Sequence, residues 1–301
     1  MRLFITGASG LLGSNLSFIA SSMGHTVLSA YNEHEISIPG CAMMKLDLLK
    51  PDFRQVERFG PDCLIHCAAL TNVDLCETNR ALAEQVNVGA TRGVCALAQK
   101  LKCRMLFIST DSVFDGKKAY HKEGEKPFAL NFYAQTKIDA ERIVASGGDY
   151  AVIRTNFYGF NVQEKQSFSE WLYAKLSAGE KTPAFTDFFF SPIVANNLSE
   201  ALLEIAGSKF CGTLHVAGKG RISKYDFALK FAGLFSLDRS LLVPKKMAEL
   251  GSLKAARPSD CSLDVSKARS LLKTKLLGIE DGLRLYKKLF DEKYQRKLKG
   301  G

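Results

Sequence analysis

The sequence lacks the features that mark several classes of protein. Its 301 residues contain no apolar run that approaches the roughly 20 residues needed to cross a membrane. The first residues have no basic stretch followed by a small-residue cleavage site, so they predict no secretory signal. Low-complexity stretches and internal repeats are also absent. These absences predict a cytoplasmic protein that has no membrane partner.

Patterns typical of metal sites and disulfide frameworks are missing as well. The eight cysteines form no C-x-x-C pair, and the five histidines are scattered. Several cysteines lie within apolar runs, as Cys63 and Cys67 do, which is typical of buried and reduced thiols. A zinc site needs clustered Cys and His ligands, so we expect no metal.

Acidic residues are too few to balance the basic ones, and the net charge is +10. Much of the excess lies between residues 284 and 299. A nucleic-acid-binding tail is one interpretation. The spacing of Leu283, Tyr286 and Leu289 favours instead an amphipathic helix with a frayed end, and hence no nucleic-acid partner. A basic surface suits an anionic substrate such as a nucleotide.

The glycines near the start of the chain carry the first positive signal. Leu3 to Ile5 predict a short buried strand, and a helical pattern follows the glycines. In that context the glycine spacing predicts a dinucleotide site, with pyrophosphate at the start of the helix. The predicted cofactor-binding residues of this motif are Gly7, Ser9, Gly10, Leu11, Leu12 and Gly13.

The next strand, predicted at 24–30, bears on the choice of cofactor. An acid at its tip would bind the ribose 2′-hydroxyl of NAD, but Tyr31 and Asn32 stand there. Because no acid at the tip would repel a 2′-phosphate, NADP(H) is favoured. NAD(H) is left open, because no arginine is placed to clamp that phosphate. Asp47 has two interpretations: it caps a helix at 48–53, or it contacts the adenine.

Strands that alternate with helical stretches through residue 154 predict an α/β fold with a Rossmann-type, doubly wound parallel sheet. One strand, at 61–69, ends in small residues that would let the cofactor lie against the backbone. Those residues are Cys67, Ala68 and Ala69. A long helical stretch at 81–101 and a strand at 104–110 follow.

Three residues predict the chemistry. Thr110 ends a strand at the sheet edge where ligands bind, and Tyr133 and Lys137 share one face of a helix at a spacing of four. We expect the Lys137 ammonium to lower the pKa of Tyr133 from about 10 towards neutrality. Thr110 would bond the same substrate oxygen, and Lys137 would reach the nicotinamide ribose. With the glycine motif, this set indicates hydride transfer to a carbonyl.

The chain resembles the extended short-chain dehydrogenase/reductase family, and within it the dTDP-4-dehydrorhamnose reductases. The motifs that carry the resemblance lie at residues 7–13, 67–69, 73–74, 77, 87–88, 109–116, 133–137, 154–156, 187–192 and 256–259. The resemblance implies that Thr110, Tyr133 and Lys137 are catalytic and that Asn87 contacts the cofactor. It further implies substrate contacts at Val73, Asp74, Asp111, Ser112 and Asn156. Ser112 and Ala134 depart from the tyrosine and glycine common in the family, which leaves the sugar open.

The second half is predicted to form a smaller, discontinuous substrate lobe. The cofactor domain spans 1–154 with returning segments at 193–217, and the lobe spans 155–192 and 218–301. Helices are predicted at 193–206, 224–235 and 265–272, and a strand at 212–217. Aromatic side chains are dense after residue 154, and Trp171 and Phe168 would share a helical face near the sugar.

Arginine binds pyrophosphate with two parallel hydrogen bonds, which makes Arg257 the first candidate for the substrate's pyrophosphate. Lys175 and Arg221 are weaker candidates. The sequence thus predicts NAD(P)H-dependent reduction of a 4-keto-6-deoxy nucleotide sugar. The alternatives are a nucleotide-sugar epimerase or dehydratase, and a non-catalytic subunit related to the regulatory subunit of methionine adenosyltransferase. A homodimer is left open.

Overall fold

The computed structural model describes residues 1–249, 251 and 253–300. The strands are β1 (Arg2–Thr6), β2 (Thr26–Tyr31), β3 (Ala42–Lys45), β4 (Cys63–His66), β5 (Arg104–Thr110), β6 (Tyr150–Thr155), β7 (Phe157–Tyr158), β8 (Thr182–Phe185), β9 (Phe189–Phe190), β10 (Ile193–Val194), β11 (Gly212–His215), β12 (Ile222–Ser223) and β13 (Leu242–Lys245). The α-helices are α1 (Leu11–Ser22), α2 (Arg54–Phe59), α3 (Val73–Thr78), α4 (Arg80–Glu84), α5 (Ala90–Leu101), α6 (Phe132–Ala145), α7 (Phe168–Ser177), α8 (Ala195–Ala206), α9 (Lys224–Leu234), α10 (Ser266–Leu271), α11 (Ile279–Asp291) and α12 (Tyr294–Leu298). A π-helical turn at Gln85–Gly89 joins α4 to α5.

Seven strands form one parallel sheet in the order β11-β6-β5-β4-β1-β2-β3. Chain order reverses between β1 and β4, so the carboxyl ends of these two strands flank a crevice. The predicted Rossmann-type fold is confirmed. Because the strands are parallel, the residues that follow β1, β2, β4 and β5 all emerge at one edge, where such sheets bind ligands.

Both faces of the sheet are covered by helices, which explains why β5 is buried at all seven positions. On one face, α1 and α8 contribute Leu16, Leu198 and Leu202 to a core with β1 and β6. On the other face, Val94 of α5 and Val144 of α6 pack against the remaining strand side chains. The site edge therefore rests on a rigid layer.

A second core, made mostly of aromatic rings, lies in the part of the chain after β6. Phe160 and Tyr286 stack with ring centres 4.3 Å apart, and Phe227, Phe231 and Phe190 surround them. Three two-stranded pairs, β7 with β10, β8 with β13 and β9 with β12, frame this core. Dense aromatics in this half thus pack mainly against one another.

The C-terminal helices correct one expectation. The apolar face of α11 is buried as predicted, with Leu283 and Tyr286 almost inaccessible. The frayed end is wrong, because α12 packs against α1: Leu298 is fully buried and the Tyr294 ring lies 5.7 Å from that of Phe18. None of the described helices is long and apolar enough to span a bilayer.

Residues 48–50 form a turn and residues 51–53 have no regular secondary structure, so the predicted helix and its cap at Asp47 are wrong. Pro51 disfavours helical conformation at the residue before it, and the helix begins only at Arg54. Asp47 accepts a hydrogen bond from the Leu49 amide at 2.9 Å within the turn. The helix predicted at 193–206 begins at Ala195, because Ile193 and Val194 pair with β7.

Candidate active site

The glycine turn is fixed by close backbone contacts. Gly7 has a φ of 69°, and a Cβ placed on it would lie 2.7 Å from the Ala68 amide nitrogen. A Cβ on Gly13 would lie 2.2 Å from the Gly7 carbonyl oxygen. No described side chain caps α1, and its first turn holds no acid. Because α1 begins just after β1 ends, its first N–H groups, which have no partner within the helix, lie at the carboxyl edge of the sheet. This cradle fits a dinucleotide pyrophosphate.

Most of the remaining predicted cofactor residues lie along the same edge. Tyr31 ends β2 and Asn32 follows it, while Cys67 to Ala69 follow β4. Asp47 lies beyond β3, but its carboxylate is already bonded to the turn. Lys45, which sequence reasoning passed over, pairs in register with Tyr31 and brings a cation near the tip of β2.

Asn87 is turned inward from the π-helical segment and is almost inaccessible. Its amide accepts a hydrogen bond from the Leu70 N–H at 2.8 Å and donates to the Leu70 carbonyl at 3.1 Å. It also donates to the Thr136 hydroxyl at 3.0 Å. Asn87 therefore ties the loop after β4 to α6.

Thr110 and Tyr133 come together at the end of β5. Thr110 is the last residue of that strand, and Tyr133 lies in the first turn of α6. The Asn131 side chain caps α6 by accepting a hydrogen bond from the Ala134 amide at 2.9 Å. The phenol of Tyr133 contacts the Thr110 hydroxyl, and only 8% of Tyr133 is exposed. Two hydroxyl groups thus converge on one point at the crevice.

The expected effect of Lys137 on the phenol is wrong. Burial raises the pKa of Tyr133, and the Asp111 carboxylate adds to that rise. The Lys137 ammonium donates to the Ile108 carbonyl at 2.9 Å and lies 4.1 Å from the Phe107 ring centre, so it is directed towards β5. Tyr133 therefore holds its proton at neutral pH, as a proton donor must.

A buried ionic network lies behind Lys137. Glu141, one helical turn further along α6, accepts from the Ser109 hydroxyl at 2.5 Å and from the Arg154 guanidinium at 2.7 Å. Burial lowers the pKa of Lys137 to about 8, and the Glu141 carboxylate opposes that change. The network thereby favours the charged form of Lys137.

Asp111, Ser112 and Asn156 form a second cluster, as the sequence predicts for substrate contacts. The Asn156 amide donates to the Asp111 carboxylate at 2.7 Å, and the Ser112 and Thr110 hydroxyls donate at 3.3 Å and 3.2 Å. Only 1% of Asp111 is exposed. Burial raises the pKa of Asp111 to about 6, although these donors and the Lys224 ammonium lower it.

Asp74 and Arg257, both predicted to bind substrate, pair with each other at 3.1 Å. Asp74 also accepts hydrogen bonds from the Lys254 and Ala255 amides at 3.0 Å and 2.9 Å. Val73 precedes it at the start of α3. The loop at 254–257 is therefore held against α3, which places Arg257 beside the helix.

The other predicted cations are engaged by protein groups. Lys175 pairs with Glu180 at 2.5 Å on the surface, and Arg221 pairs with Asp260 at 2.6 Å. Trp171 lies over Phe168 with ring centres 6.1 Å apart and an interplanar angle of 22°, as the shared helical face predicts.

Sequence reasoning missed Lys224. Its ammonium lies among aromatic rings, and its charge lowers the pKa of Asp111. No local motif marks it, because the rings come from distant segments. Within the described ranges, no group of three or more His, Cys, Asp or Glu side chains is placed to hold a metal ion.

Comparison with known proteins gives a family and several relatives. The model of the RmlD substrate binding domain family matches residues 1–290. A probable low-salt glycan biosynthesis reductase of Haloferax volcanii is 31% identical, over 97% of this chain and 99% of that protein. The methionine adenosyltransferase 2 subunit beta of Rattus norvegicus is 28% identical, over 90% of this chain and 82% of its own.

Two solved structures are similar along nearly their full length. A hypothetical dTDP-4-dehydrorhamnose reductase from Sulfolobus tokodaii is 37% identical with a TM-score of 0.81, covering 94% of this chain and 99% of its own. The dTDP-4-dehydrorhamnose reductase from Bacillus anthracis, solved in complex with NADP, is 26% identical with a TM-score of 0.80. That match covers 97% of this chain and 99% of the other.

Proposed function

The chain belongs to the RmlD substrate binding domain family, and from that premise we propose that it is an NAD(P)H-dependent reductase of a 4-keto-6-deoxy nucleotide sugar. The observation that carries the proposal is that the Thr110 and Tyr133 hydroxyls meet at the sheet edge that also carries the glycine turn. The similar reductases from Haloferax volcanii and Sulfolobus tokodaii support the same class of reaction.

In this mechanism Tyr133 is the general acid. The Thr110 hydroxyl, which donates to Asp111 at 3.2 Å, would turn its proton to the substrate's carbonyl oxygen and polarise it. As the carbonyl becomes an alkoxide, the Tyr133 hydroxyl transfers its proton to that oxygen, which yields the alcohol. A bound nicotinamide cofactor supplies the hydride to the carbonyl carbon. Because burial raises the pKa of Tyr133, the proton is present at neutral pH before the reaction begins.

Lys137 would serve the cofactor. Its ammonium donates to the Ile108 carbonyl at 2.9 Å, at the sheet edge where the nicotinamide ribose would lie. Its other protons would be offered to the ribose hydroxyls. Because this ammonium is directed towards β5, burial rather than the Lys137 charge sets the pKa of Tyr133.

For the cofactor we propose NADP(H). Lys45 beside the tip of β2 supplies a cation for a 2′-phosphate, and the similar reductase from Bacillus anthracis was solved with NADP. Burial and the nearby Glu35 carboxylate raise the pKa of Tyr31, which shows that an acid also lies there. NADH is therefore the competitor that a test must include.

We also propose the domain division predicted from the sequence, with residues 1–154 and 193–217 binding cofactor and the remainder forming the substrate lobe. The separate aromatic core supports this division, and β11 joins the central sheet. The compartment we propose is the cytoplasm, supported by eight free cysteines. Arg257 is proposed to bind the pyrophosphate of the nucleotide sugar.

The test is a panel of dTDP-, GDP-, CDP- and UDP-linked 4-keto-6-deoxy sugars with NADPH and NADH in parallel. One substrate should consume NADPH in a one-to-one ratio with product. An epimerase or dehydratase consumes none overall, and that result would contradict a reductase. Copurification with a synthetase and no turnover would favour the regulatory role.

Tyr133→Phe tests the assigned acid. It should lower kcat by about 100- to 10,000-fold, the range for a general acid, with the Kd for NADPH nearly unchanged. Tyr150→Phe, which removes a phenol at the start of β6, is the matched control and should retain full turnover. Turnover of Tyr133→Phe at the wild-type rate would refute the role of this phenol.

A further inference from the structure

Lys224 begins α9 and carries its ammonium into a group of aromatic rings. The Nζ atom lies 3.8 Å from the ring centre of Phe190, 4.2 Å from that of Phe168 and 5.7 Å from that of Phe188. The Lys224 amide also donates to the Phe188 carbonyl at 3.0 Å. Backbone pairing thus fixes the start of α9, and ring faces attract the cation.

No protein acceptor takes the protons of this ammonium in the part of the chain that the structure describes. Among the described residues, every carboxylate oxygen lies more than 4.0 Å from the Lys224 Nζ atom, and no acceptor takes a hydrogen bond from it. Lys175, Lys230 and Lys245, by contrast, each pair with a surface carboxylate. Aromatic faces stabilise the charge but do not replace strong hydrogen-bond acceptors, so three donors are available to a ligand.

Asp111 supplies the opposite charge across a gap. The Asp111 carboxylate raises the pKa of Lys224, which burial lowers to about 8. In turn, the positive charge of Lys224 lowers the pKa of Asp111, against the rise that burial causes. The contacts around them place the two groups at one end of the crevice: Asn156, which donates to Asp111 at 2.7 Å, accepts at its carbonyl from the Ile193 amide at 2.9 Å. Ile193 follows Phe190 by three residues, and the Phe190 ring lies against the Lys224 ammonium. Because Asp111 directly follows Thr110, the gap lies next to the carbonyl position of the proposed reaction.

We infer that Lys224 and Asp111 together bind one hydroxyl of the hexose ring, the hydroxyl on the carbon next to the carbonyl carbon. Lys224 donates to the hydroxyl oxygen, and Asp111 accepts the hydroxyl proton. The inference rests on the proposed function and makes Lys224 a specificity-determining residue for that substrate. A neutral hydroxyl satisfies both groups, whereas a phosphate placed there would be repelled by Asp111.

The experiment compares Lys224→Met with wild type on two substrates. One is the 4-keto-6-deoxy nucleotide sugar that the panel identifies, and the other is its 3-deoxy analogue. Wild type should favour the hydroxylated substrate by about 10- to 100-fold in kcat/KM, the range for a hydrogen bond to a charged group. Lys224→Met should lose most of that preference and reduce the analogue at a rate near that of wild type.

Lys230→Met, on the same helix but paired with Glu280 at the surface, is the matched control and should keep the full preference. The Kd for NADPH reports whether each variant is folded. If Lys224→Met fails to bind NADPH, Lys224→Gln carries the same comparison. Lys224→Arg retains the charge and should keep part of the preference.

Two results would overturn the inference while the proposed function stands. In one, Lys224→Met discriminates between the substrates as wild type does. In the other, the kcat/KM of Lys224→Met falls by the same factor on both substrates, which would mean that the effect of Lys224 does not depend on that hydroxyl. If wild type reduces no 4-keto sugar, the proposed function fails first and the Lys224 contact fails with it, so the two failures are distinguishable.

Discussion

The two sides of the crevice are built differently. On the cofactor side, the glycine turn is made by the backbone of residues close in sequence, and Gly13 approaches the Gly7 carbonyl so closely that no side chain fits. On the substrate side, the proposed contacts are side chains from distant segments, such as Asp111 on the sheet edge and Lys224 on α9. One side is fixed by steric exclusion and the other by converging charges.

This difference has an energetic consequence. A backbone cradle tolerates almost no added volume, because the atoms that would have to move belong to β1 and α1 themselves. A site made of side chains tolerates changes in shape but depends on each polar partner. Substitutions should therefore cost stability and cofactor affinity on the first side and substrate selectivity on the second.

The largest effect is expected from Gly13→Ala. Its methyl group would lie 2.2 Å from the Gly7 carbonyl oxygen, so the turn or the helix must shift. We expect a loss of about 3 kcal/mol in the free energy of unfolding, at the upper end for overpacking, and at least 100-fold weaker NADPH binding. Urea denaturation and a fluorescence titration with NADPH measure the two.

Gly93→Ala is the matched control, since a methyl group on that helical glycine meets nothing within 4 Å. It should stabilise the protein by about 0.5–1 kcal/mol, because alanine loses less backbone entropy in a helix. Wild-type NADPH affinity in Gly13→Ala would break the comparison, because it would mean that the cradle is as tolerant as the substrate side.

A middle-sized effect is expected from His66, which lies beneath the turn. Its ring is bonded to the Thr6 and Thr91 hydroxyls, and burial, with the nearby Lys137 charge, lowers its pKa to about 3. Below about pH 6.5, His66 therefore binds a proton in the unfolded chain but stays neutral in the folded protein. Stability should fall from that pH down to about 3, and this histidine should account for roughly 2 kcal/mol of the loss at pH 5.

His66→Gln should remove the part of the stability loss at pH 5 that comes from this histidine. Urea denaturation midpoints at pH 7 and pH 5 measure that loss. The exposed His34→Gln should leave the pH dependence as it is in wild type. An unchanged slope in His66→Gln would mean that the histidine binds a proton as readily in the folded protein as in the unfolded chain, and that burial on the cofactor side does not exclude its charged form.

The smallest effect is expected from Asp74→Ala on the substrate side. It removes the acceptor for the Lys254 and Ala255 amides and the partner of Arg257. The KM for the nucleotide sugar should rise on the order of 3- to 10-fold, since these charged contacts are partly exposed, with the Kd for NADPH unchanged.

Glu204→Ala is the control for Asp74, because Glu204 likewise accepts two backbone amides, from Lys273 and Thr274, but belongs to α8. It should leave the KM unchanged. A rise in the Kd for NADPH in Asp74→Ala would contradict the separation of the two sides, because it would mean that the 254–257 loop also affects cofactor binding.

The same contrast explains what the sequence predicts well. β1, β5 and the glycine turn follow from short patterns, because burial on both faces demands apolar runs and close approach demands glycine. The positions of Thr110, Tyr133 and Lys137 at one sheet edge are also predictable, since strand ends and a spacing of four on a helix fix where their Cβ atoms lie.

The errors arise where the position of a group depends on a long, flexible side chain or on segments that are distant in the sequence. Helical spacing places Lys137 near Tyr133, but the flexible side chain reaches the Ile108 carbonyl instead, so the phenol's pKa moves in the opposite direction. The aromatic surroundings of Lys224 come from α7 and β9, which no local pattern connects. At 48–53, a single proline outweighs the helical pattern.

The contact between α1 and α12 has a consequence for the order of folding. Phe18 and Tyr294 meet although 275 positions separate them in the sequence, so this pairing closes a very long loop. Contacts of such separation form late, because chain entropy must be lost before they stabilise anything. We expect the sheet and the glycine turn to form first. The outer face of α1 then stays exposed until α12 packs against it.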